Sequence, residues 1–265
     1  MAERAPLPFD VAQAAIVGRR SSQQDFLAAT TVEDGRAALL VLGDGMGGHE
    51  HGELASRLAV GGFLAAATDA VAKGADRVAT LSVGLESADA CLNAAKTGEA
   101  AGSRMGTTLV GAIVDARGID WISVGDSPLW RFHDGRLDRL NEDHSLRELR
   151  RAGATVSGNV LRSAVDGGPI ALIDRGRVEF EPGPATAVLL ASDGLLTLDE
   201  TEIAAILARS EGAPARIAAE ALVAAVEAHA DPRQDNCTLF VARTPVRPKE
   251  SLGWSPLRWM RRRHA

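Results

Sequence analysis

Aspartates placed beside glycines recur at distant points of this chain, in a pattern that suits metal binding. In residues 41–49 an apolar run ends in Asp44, which lies between Gly43 and Gly45, and His49 closes the segment. Glycine lets the backbone approach a ligand closely, and a carboxylate in such a place suits a hard cation. Packing explains this pattern poorly, so we predict that Asp44 binds a metal ion.

Four other segments each offer one aspartate among strand and turn residues: Asp25, Asp126, Asp193 and Asp235. Carboxylate ligands favour Mg²⁺ or Mn²⁺ over zinc or copper, and several carboxylates in one site cannot all stay ionised without cations between them. Two such ions, about 3.5–4 Å apart, would share a water, lower its pKa and so generate a nucleophile for a phosphoester. One acidic site assembled from five segments is the leading hypothesis, although any one of these aspartates alone could equally cap a turn or a helix.

The composition excludes several classes of protein. The 265-residue chain is 46% hydrophobic and 24% charged, which is typical of a globular enzyme, and its net charge of -6 argues against general nucleic-acid binding. Cys91 and Cys237 are far apart, which argues against a disulfide framework or a zinc site and fits a reducing compartment. We see no signal peptide in residues 1–10 and no transmembrane segment, because the longest apolar run, residues 58–67, is too short. A cytoplasmic location is the simplest expectation.

Hydrophobic periodicity predicts strands, two helices, strands, two helices and a last strand. Residues 11–43 are predicted to hold short strands that include a hairpin, and the individual strands are residues 26–31, 37–42, 107–114, 118–124, 129–133, 177–180, 187–191 and 237–242. The predicted helices are residues 50–72, 76–97, 142–152, 199–209 and 213–230, with Asp199 as an N-cap. Residues 153–168 are predicted to form a mobile surface loop. Because long βαβ alternation is missing, an α+β fold is favoured over a doubly wound one.

The chain changes character from residue 244 onward. This segment has three prolines and two tryptophans and ends in a basic run at residues 258–264. We predict one domain over residues 1–243 and a disordered tail over residues 244–265. The alternative is a tail that contacts an anionic membrane or partner, with Trp254 and Trp259 contributing.

Seven motifs, taken in order, resemble those of the metal-dependent serine/threonine protein phosphatases of the protein phosphatase 2C type, in their bacterial form. They occupy residues 18–25, 43–49, 105–108, 124–127, 142–145, 192–195 and 234–238. The resemblance covers about residues 11–243. It implies a β-sandwich of two antiparallel sheets flanked by pairs of antiparallel helices. It also implies hydrolysis of phosphoserine and phosphothreonine by in-line attack of a metal-bridging water or hydroxide.

The resemblance further implies a role for each acidic residue in binding two Mn²⁺ or Mg²⁺ ions. Asp44 would bridge both ions, and the Gly45 carbonyl would bind the second. Asp193 and Asp235 would complete the first site, and Asp25 would hold metal-bound waters.

Three more residues receive roles by the same resemblance. Asp126 would contribute to a third metal site found in bacterial members, and Arg20 would bind the substrate phosphate. His49 is a candidate general acid for the leaving alkoxide, although it could equally be an exposed loop residue. His144 is expected to fix local structure, and residues 145–165 would form a flap beside the site that influences substrate choice.

Two segments depart from the family pattern. Gln23 and Gln24 stand where Asn-Glu or Asn-Gln is usual, which removes a charge beside the second metal. Pro128 stands where an arginine normally follows Asp126-Ser127, so a charged or hydrogen-bonding contact is lost there.

The leading function is a signalling phosphatase that acts on phosphorylated proteins and opposes a serine/threonine kinase. The main alternative is a phosphatase-fold module that binds phosphorylated partners with weak or no turnover. A regulator of a phosphorylated anti-sigma antagonist and a small-molecule phosphoesterase are further alternatives.

Overall fold

Two antiparallel β-sheets form the centre of the protein. The computed structural model describes residues 9–47, 49–97, 104–146, 160–181, 183 and 185–244. The first sheet has the spatial order β1 (Asp10–Ile16), β11 (Cys237–Arg243), β10 (Ala187–Ala191), β7 (Leu129–His133) and β8 (Arg136–Arg139). The second has the order β2 (Asp25–Val32), β3 (Ala37–Met46), β5 (Leu109–Val114), β6 (Gly118–Val124) and β9 (Asp174–Glu179), and the short β4 (Gly106–Thr107) pairs with the end of β3.

A pair of helices covers the outer face of each sheet. Helices α1 (His49–Ala72) and α2 (Arg77–Thr97) share a core with the second sheet, and α3 (Glu200–Arg209) and α4 (Ala215–His229) share one with the first. A third core fills the space between the sheets. This arrangement confirms the predicted α+β sandwich flanked by helix pairs.

Strand β3 shows why both faces of a central strand are apolar. Its side chains alternate, so Leu39 and Val41 pack under α1 and α2, whereas Ala38 and Leu40 pack between the sheets. Every residue from Ala37 to Gly43 is buried. The apolar run that precedes Asp44 is therefore explained by the position of the strand in the middle of three layers.

Helix α1 is longer than the apolar run from which it was predicted. By length and composition alone, its residues His51–Ala72 could cross a membrane. However, Ala55, Ala59, Phe63 and Ala67 are fully buried in the core that α1 shares with α2 and the second sheet. One face of α1 is therefore buried in the core, and that burial explains the apolar residues on it.

The β2–β3 hairpin and the start of α3 confirm two local predictions. The whole of β2 pairs with residues Ala37–Asp44 of β3, and the turn between them has positive φ at Glu33, Asp34 and Gly35 (53°, 58° and 82°). Asp199 caps α3, because its carboxylate accepts a hydrogen bond from the Glu202 N–H at 2.8 Å.

Several predicted boundaries were wrong. Strand β3 continues through Asp44 to Met46 because β4 pairs with its end, β8 was missed, and β9 begins at Asp174. Residues 142–146 are not helical, and the rest of that predicted helix lies outside the described residues. The Asp143 carboxylate accepts the Ser145 N–H, a local bond that competes with helix formation.

The described part of the predicted surface loop, residues 160–168, is held in place. Val165 is fully buried and forms a bridge with Thr107, and Leu161 forms a bridge with Ser145. The expectation of a mobile loop is therefore wrong for these residues, because their backbone pairs with the sheet edge. Residues 147–159, the centre of the predicted flap, lie outside the described residues.

Candidate metal centre and substrate cleft

The register of the β2–β3 hairpin brings the first two predicted metal ligands together. Asp25 and Asp44 are directly opposite each other in the antiparallel pair. Asp25 is buried, and its Oδ2 accepts a hydrogen bond from the Ser192 hydroxyl at 2.7 Å. Its Oδ1 is also buried and has no hydrogen-bond partner in the described part of the chain. A buried carboxylate oxygen without a partner is costly unless something else binds it, and a cation would do so.

Four aspartates from other segments act on Asp44 by their charge. Burial raises the pKa of Asp44 well above its usual range, and the charges of Asp25, Asp193, Asp126 and Asp235 raise it further. Such a cluster stays ionised at neutral pH only if cations offset the repulsion. Its donors are all oxygens, which is the set that Mn²⁺ and Mg²⁺ prefer, so the residues present fit these ions.

The same environment acts on Asp25. Burial raises its pKa to about 7, the nearby Ser192 and Thr238 hydroxyls act in the opposite direction, and the charges of Asp193 and Asp235 add to the increase. Metal-free protein therefore holds a proton here close to neutral pH. Binding of a cation would displace that proton.

Close backbone packing brings Asp193 and Asp235 to the same place. Asp193 begins a 3-10 helix, Asp193–Thr197, that follows β10. A Cβ at Gly194 would lie 1.9 Å from the Asn236 carbonyl oxygen, so only glycine allows this approach. The Asp235 Oδ1 accepts the Asn236 N–H at 2.8 Å, which orients the carboxylate.

Asn236 fastens the loop that carries Arg20 and Asp25 to the start of β11. Its Nδ2 donates to the Val17 and Ser22 carbonyls at 2.8 and 3.0 Å, and its Oδ1 accepts the Gln24 N–H at 2.8 Å. All these groups lie near the centre, so the amide positions the loop without contacting a substrate. Asn236 belongs to the last quoted motif, and that motif was the available signal for it.

Gly45 lies where two backbones touch. Its N–H donates to the Gln24 carbonyl at 3.1 Å, and a Cβ there would lie 2.0 Å from the Gly52 carbonyl oxygen of α1. Glycine is therefore required by packing, and the proposed carbonyl ligand is next to Asp44 on a backbone held from both sides.

Asp126 is buried in the turn between β6 and β7, which is held by its neighbours. Arg139 of β8 donates to the Asp126 carbonyl at 3.2 Å. The sequence indicated that Pro128 would deprive this turn of a charged contact, but Arg139 supplies one from the next strand. No motif pointed to Arg139, because it reaches the turn only through β7–β8 pairing.

His144 supports the same turn, as predicted. Its Nδ1 accepts the Gly125 N–H at 3.2 Å, and the backbone N–H of His144 donates to the Gly125 carbonyl at 3.1 Å. Burial lowers the pKa of His144, so the neutral imidazole that accepts this bond is favoured.

A cleft of about 920 Å³ opens beside the centre. Its walls include Arg20, Asp193, Asp235, Arg139 and Arg233. The Arg20 guanidinium lies 2.5 Å from the Asp235 carboxylate, so the predicted phosphate-binding residue contacts a predicted metal ligand.

The predicted ligands are not arranged as a complete metal site in this structure. Among the described residues, no three acidic, histidine or cysteine side chains already have the arrangement of a metal site. Asp25 and Asp44 are not among the residues that line the cleft, and Asp235 is turned toward Arg20. The His49 backbone begins α1, and its side chain lies outside the described part.

Comparison with known proteins identifies the family. The family model for protein phosphatase 2C matches residues 14–227. The chain belongs to the protein phosphatase 2C family.

Bacterial serine/threonine phosphatases are among the relatives of this family member. PstP of Mycobacterium tuberculosis is 33% identical over 107 residues, 40% of this chain but only 20% of PstP. The protein phosphatase PhpP of Streptococcus pneumoniae is 31% identical over 191 residues, 68% of this chain and 76% of PhpP. A crystal structure of M. tuberculosis PstP matches with a TM-score of 0.74 and 25% identity over 89% of this chain and 98% of that one. A second PstP structure, of the catalytic domain in complex with two manganese ions, matches with the same TM-score and identity, covering 89% and 99%.

Proposed function

We propose that this family member is a metal-dependent protein serine/threonine phosphatase that hydrolyses phosphoserine and phosphothreonine in proteins. The observation that carries the proposal is the buried, unpartnered Asp25 Oδ1 opposite Asp44, whose pKa is raised by burial and by carboxylates from four other segments. This environment suits two Mn²⁺ or Mg²⁺ ions. When bound, such ions supply an activated water and neutralise charge that develops on a phosphoryl group.

The protein's own residues would hold the ions and the substrate. Asp44, the Gly45 carbonyl, Asp193 and Asp235 are the proposed ligands, with Asp25 holding the coordinated waters. Ser192 fixes the Asp25 carboxylate by its 2.7 Å hydrogen bond.

Arg20 is the proposed phosphate-binding residue. It lines the cleft, and its planar guanidinium suits two phosphoryl oxygens. Asp126 is the proposed ligand of a third ion, and His49 remains the candidate general acid.

The decisive experiment is phosphate release from a phosphothreonine peptide with added Mn²⁺, comparing wild type with Asp193→Asn and with EDTA. We expect metal-dependent turnover that is lost in the variant. Folded wild-type protein that binds the phosphopeptide without turnover in either Mn²⁺ or Mg²⁺ would instead favour the phosphosite-binding module.

The biological setting is also proposed. Cys91 and Cys237 are free thiols, which fits a cytoplasmic location. Substrates there would be proteins phosphorylated by a serine/threonine kinase. We assign the catalytic domain to residues 1–243, and in the segment 244–265 the basic part beyond the buried Thr244 would contact an anionic surface or partner.

A further inference from the structure

A buried pair of hydroxyl groups joins the Asp44 and Asp126 segments. The Thr108 and Ser127 hydroxyl oxygens lie 2.7 Å apart, and both residues are buried. The Asp44 N–H donates to the Thr108 hydroxyl at 2.9 Å, and the Thr108 N–H donates to the Asp44 carbonyl at 2.9 Å. Ser127 directly follows Asp126, so a short chain of hydrogen bonds connects the two backbones.

The turn on the Asp126 side is held from its other face as well. The Asn141 amide donates to the Ser127 carbonyl at 2.9 Å, and Arg139 donates to the Asp126 carbonyl at 3.2 Å. A movement of this turn would therefore be transmitted mainly through the hydroxyl pair. A hydroxyl donates one hydrogen bond and accepts two, so Thr108 can keep its bond to Asp44 while it bonds to Ser127.

The two aspartates also affect each other through charge. Both are carboxylates, and only the Thr108–Ser127 hydroxyl pair separates their backbones, so like charges on the two residues repel each other. An ion bound by either would relieve that repulsion and reposition its segment. The hydroxyl pair is the direct bonded route by which such a movement can reach the other segment.

We propose that the Thr108–Ser127 hydroxyl pair is a positioning element that couples the Asp126 site to the Asp44 metal centre. Thr108 and Ser127 bind no ion themselves in this proposal. They keep the Asp44 backbone in place when Asp126 holds its ion. The inference rests on the proposed metal-dependent function.

A double-mutant cycle on the full chain tests the coupling, with Mn²⁺ binding measured by isothermal titration calorimetry. The proteins are wild type, Asp126→Asn, Ser127→Ala and the double variant. We expect Asp126→Asn to remove one bound ion and to weaken the remaining ones about tenfold, a coupling of ordinary size. In the Ser127→Ala background, the same change should weaken them less than about threefold.

Two further variants separate positioning from loss of fold. Thr108→Val breaks the same hydroxyl bond from the other side and should also reduce the coupling. Thr80→Val is the matched control, because Thr80 is fully buried in α2 and its hydroxyl has no hydrogen-bond partner within the described residues. It should leave the coupling unchanged. Melting temperatures in EDTA identify any variant that is not folded, and the remaining hydroxyl variant then decides the question.

The outcomes distinguish this inference from the proposed function. Equal weakening by Asp126→Asn in the wild-type and Ser127→Ala backgrounds overturns the coupling, as does an Asp126→Asn variant with unaltered Mn²⁺ binding. Both results leave the two-ion phosphatase intact. Wild-type protein that binds neither Mn²⁺ nor Mg²⁺ overturns the proposed function and this inference with it.

Discussion

The Arg20 guanidinium and the Asp235 carboxylate form an ion pair at the edge of the cleft, with 2.5 Å between the nitrogen and Oδ2. Arg20 comes from the β1–β2 loop and Asp235 from the segment before β11. The arginine therefore holds a proposed metal ligand in the position that this structure shows. If Asp235 binds an ion and Arg20 binds phosphate, as proposed, each of these contacts competes with the ion pair for a charged group.

The first prediction concerns Arg20→Ala. We expect KM for a phosphothreonine peptide to rise about tenfold, because a charged hydrogen bond to phosphate is lost. Mn²⁺ affinity, measured by calorimetry, should stay equal or increase, because Asp235 is released. Arg19→Ala is the control, since Arg19 is an exposed neighbour that lines a different cavity. Loss of Mn²⁺ binding in Arg20→Ala would contradict the prediction.

Asp44→Asn should stabilise the metal-free protein while abolishing its function. Burial and four neighbouring carboxylates raise the pKa of Asp44, so its charge destabilises the metal-free fold. We expect the variant to lose Mn²⁺ binding and turnover but to melt at a higher temperature in EDTA at pH 8. The gain should be about 2–4 °C for each kcal/mol of repulsion removed. A lower melting temperature than wild type would show that the carboxylate is stabilising.

The raised pKa of Asp25 predicts how metal binding depends on pH. The unfolded carboxyl titrates near 4, roughly, and the folded one at about 7. Folded protein thus binds more protons across this window, so the metal-free fold loses stability as pH rises from about 4 to 7. Mn²⁺ affinity should increase with pH through the same window, because the ion displaces the proton.

Calorimetry in buffers of different ionisation enthalpy measures this proton release. Release should be larger at pH 6.5 than at pH 8.5, and Asp25→Asn should reduce the difference. Wild-type binding that releases equal numbers of protons at both pH values would refute the assignment to Asp25.

The sequence could predict which residues take part in the chemistry but not how the fold brings them together. Asp25 and Asp44 each follow from a motif, and hairpin pairing was also predictable from the turn between them. Their direct opposition depends on register, which a single sequence specifies poorly. Arg139 was missed for a related reason, since it reaches the Asp126 turn only after β7 and β8 pair.

The end of the domain illustrates the same limit. A change in composition placed the boundary at residue 243, but Thr244 is buried and its N–H donates to the Thr186 carbonyl at 2.9 Å. Composition cannot report such a bond, because it depends on a strand distant in sequence. The prediction for residues 142–146 failed similarly, since Ser145 pairs with Leu161 instead of continuing a helix.

Deletion of residues 245–265 should leave turnover of a small phosphate ester unchanged within about twofold, because it preserves the bonds of Thr244. Deletion from residue 243 onward should instead destabilise the protein, since the Arg243 guanidinium donates to the Ser210 carbonyl and, at 2.8 Å, to the Ala213 carbonyl. Melting temperature and turnover of both truncations check this. A large loss of turnover in the shorter deletion would place part of the tail in the catalytic domain.

The last prediction concerns an ion-pair cluster remote from the cleft. Arg77 at the start of α2 contacts Glu33 at 2.7 Å, Asp115 at 2.7 Å and Asp120 at 3.2 Å, and its side chain is only 18% exposed. Arg77→Met removes this cation from Glu33 and Asp115 and the nearer of two cations from Asp120, whose other partner Arg177 is 3.8 Å away. We therefore expect a loss of about 3 kcal/mol in the free energy of unfolding at pH 7. Turnover should not change, because none of these residues lines the cleft.

The contribution of this cluster should disappear in acid. The hydrogen bond from Arg77 lowers the pKa of Glu33. Burial acts to raise the pKa of Asp115, but hydrogen bonds from Arg77 and from backbone N–H groups lower it overall. A carboxyl group whose pKa is lowered on folding stabilises the fold at pH values above its unfolded pKa, about 4. This stabilisation is lost as the pH falls through the pKa of the folded state. Urea unfolding at pH 7 and pH 3 should therefore show a wild-type advantage over Arg77→Met that shrinks at the lower pH. Lys73→Met is the matched control, because its pair with Asp69 is exposed on α1 and should contribute little at either pH. An equal loss in the two variants at pH 7 would show that Arg77 is only a surface charge.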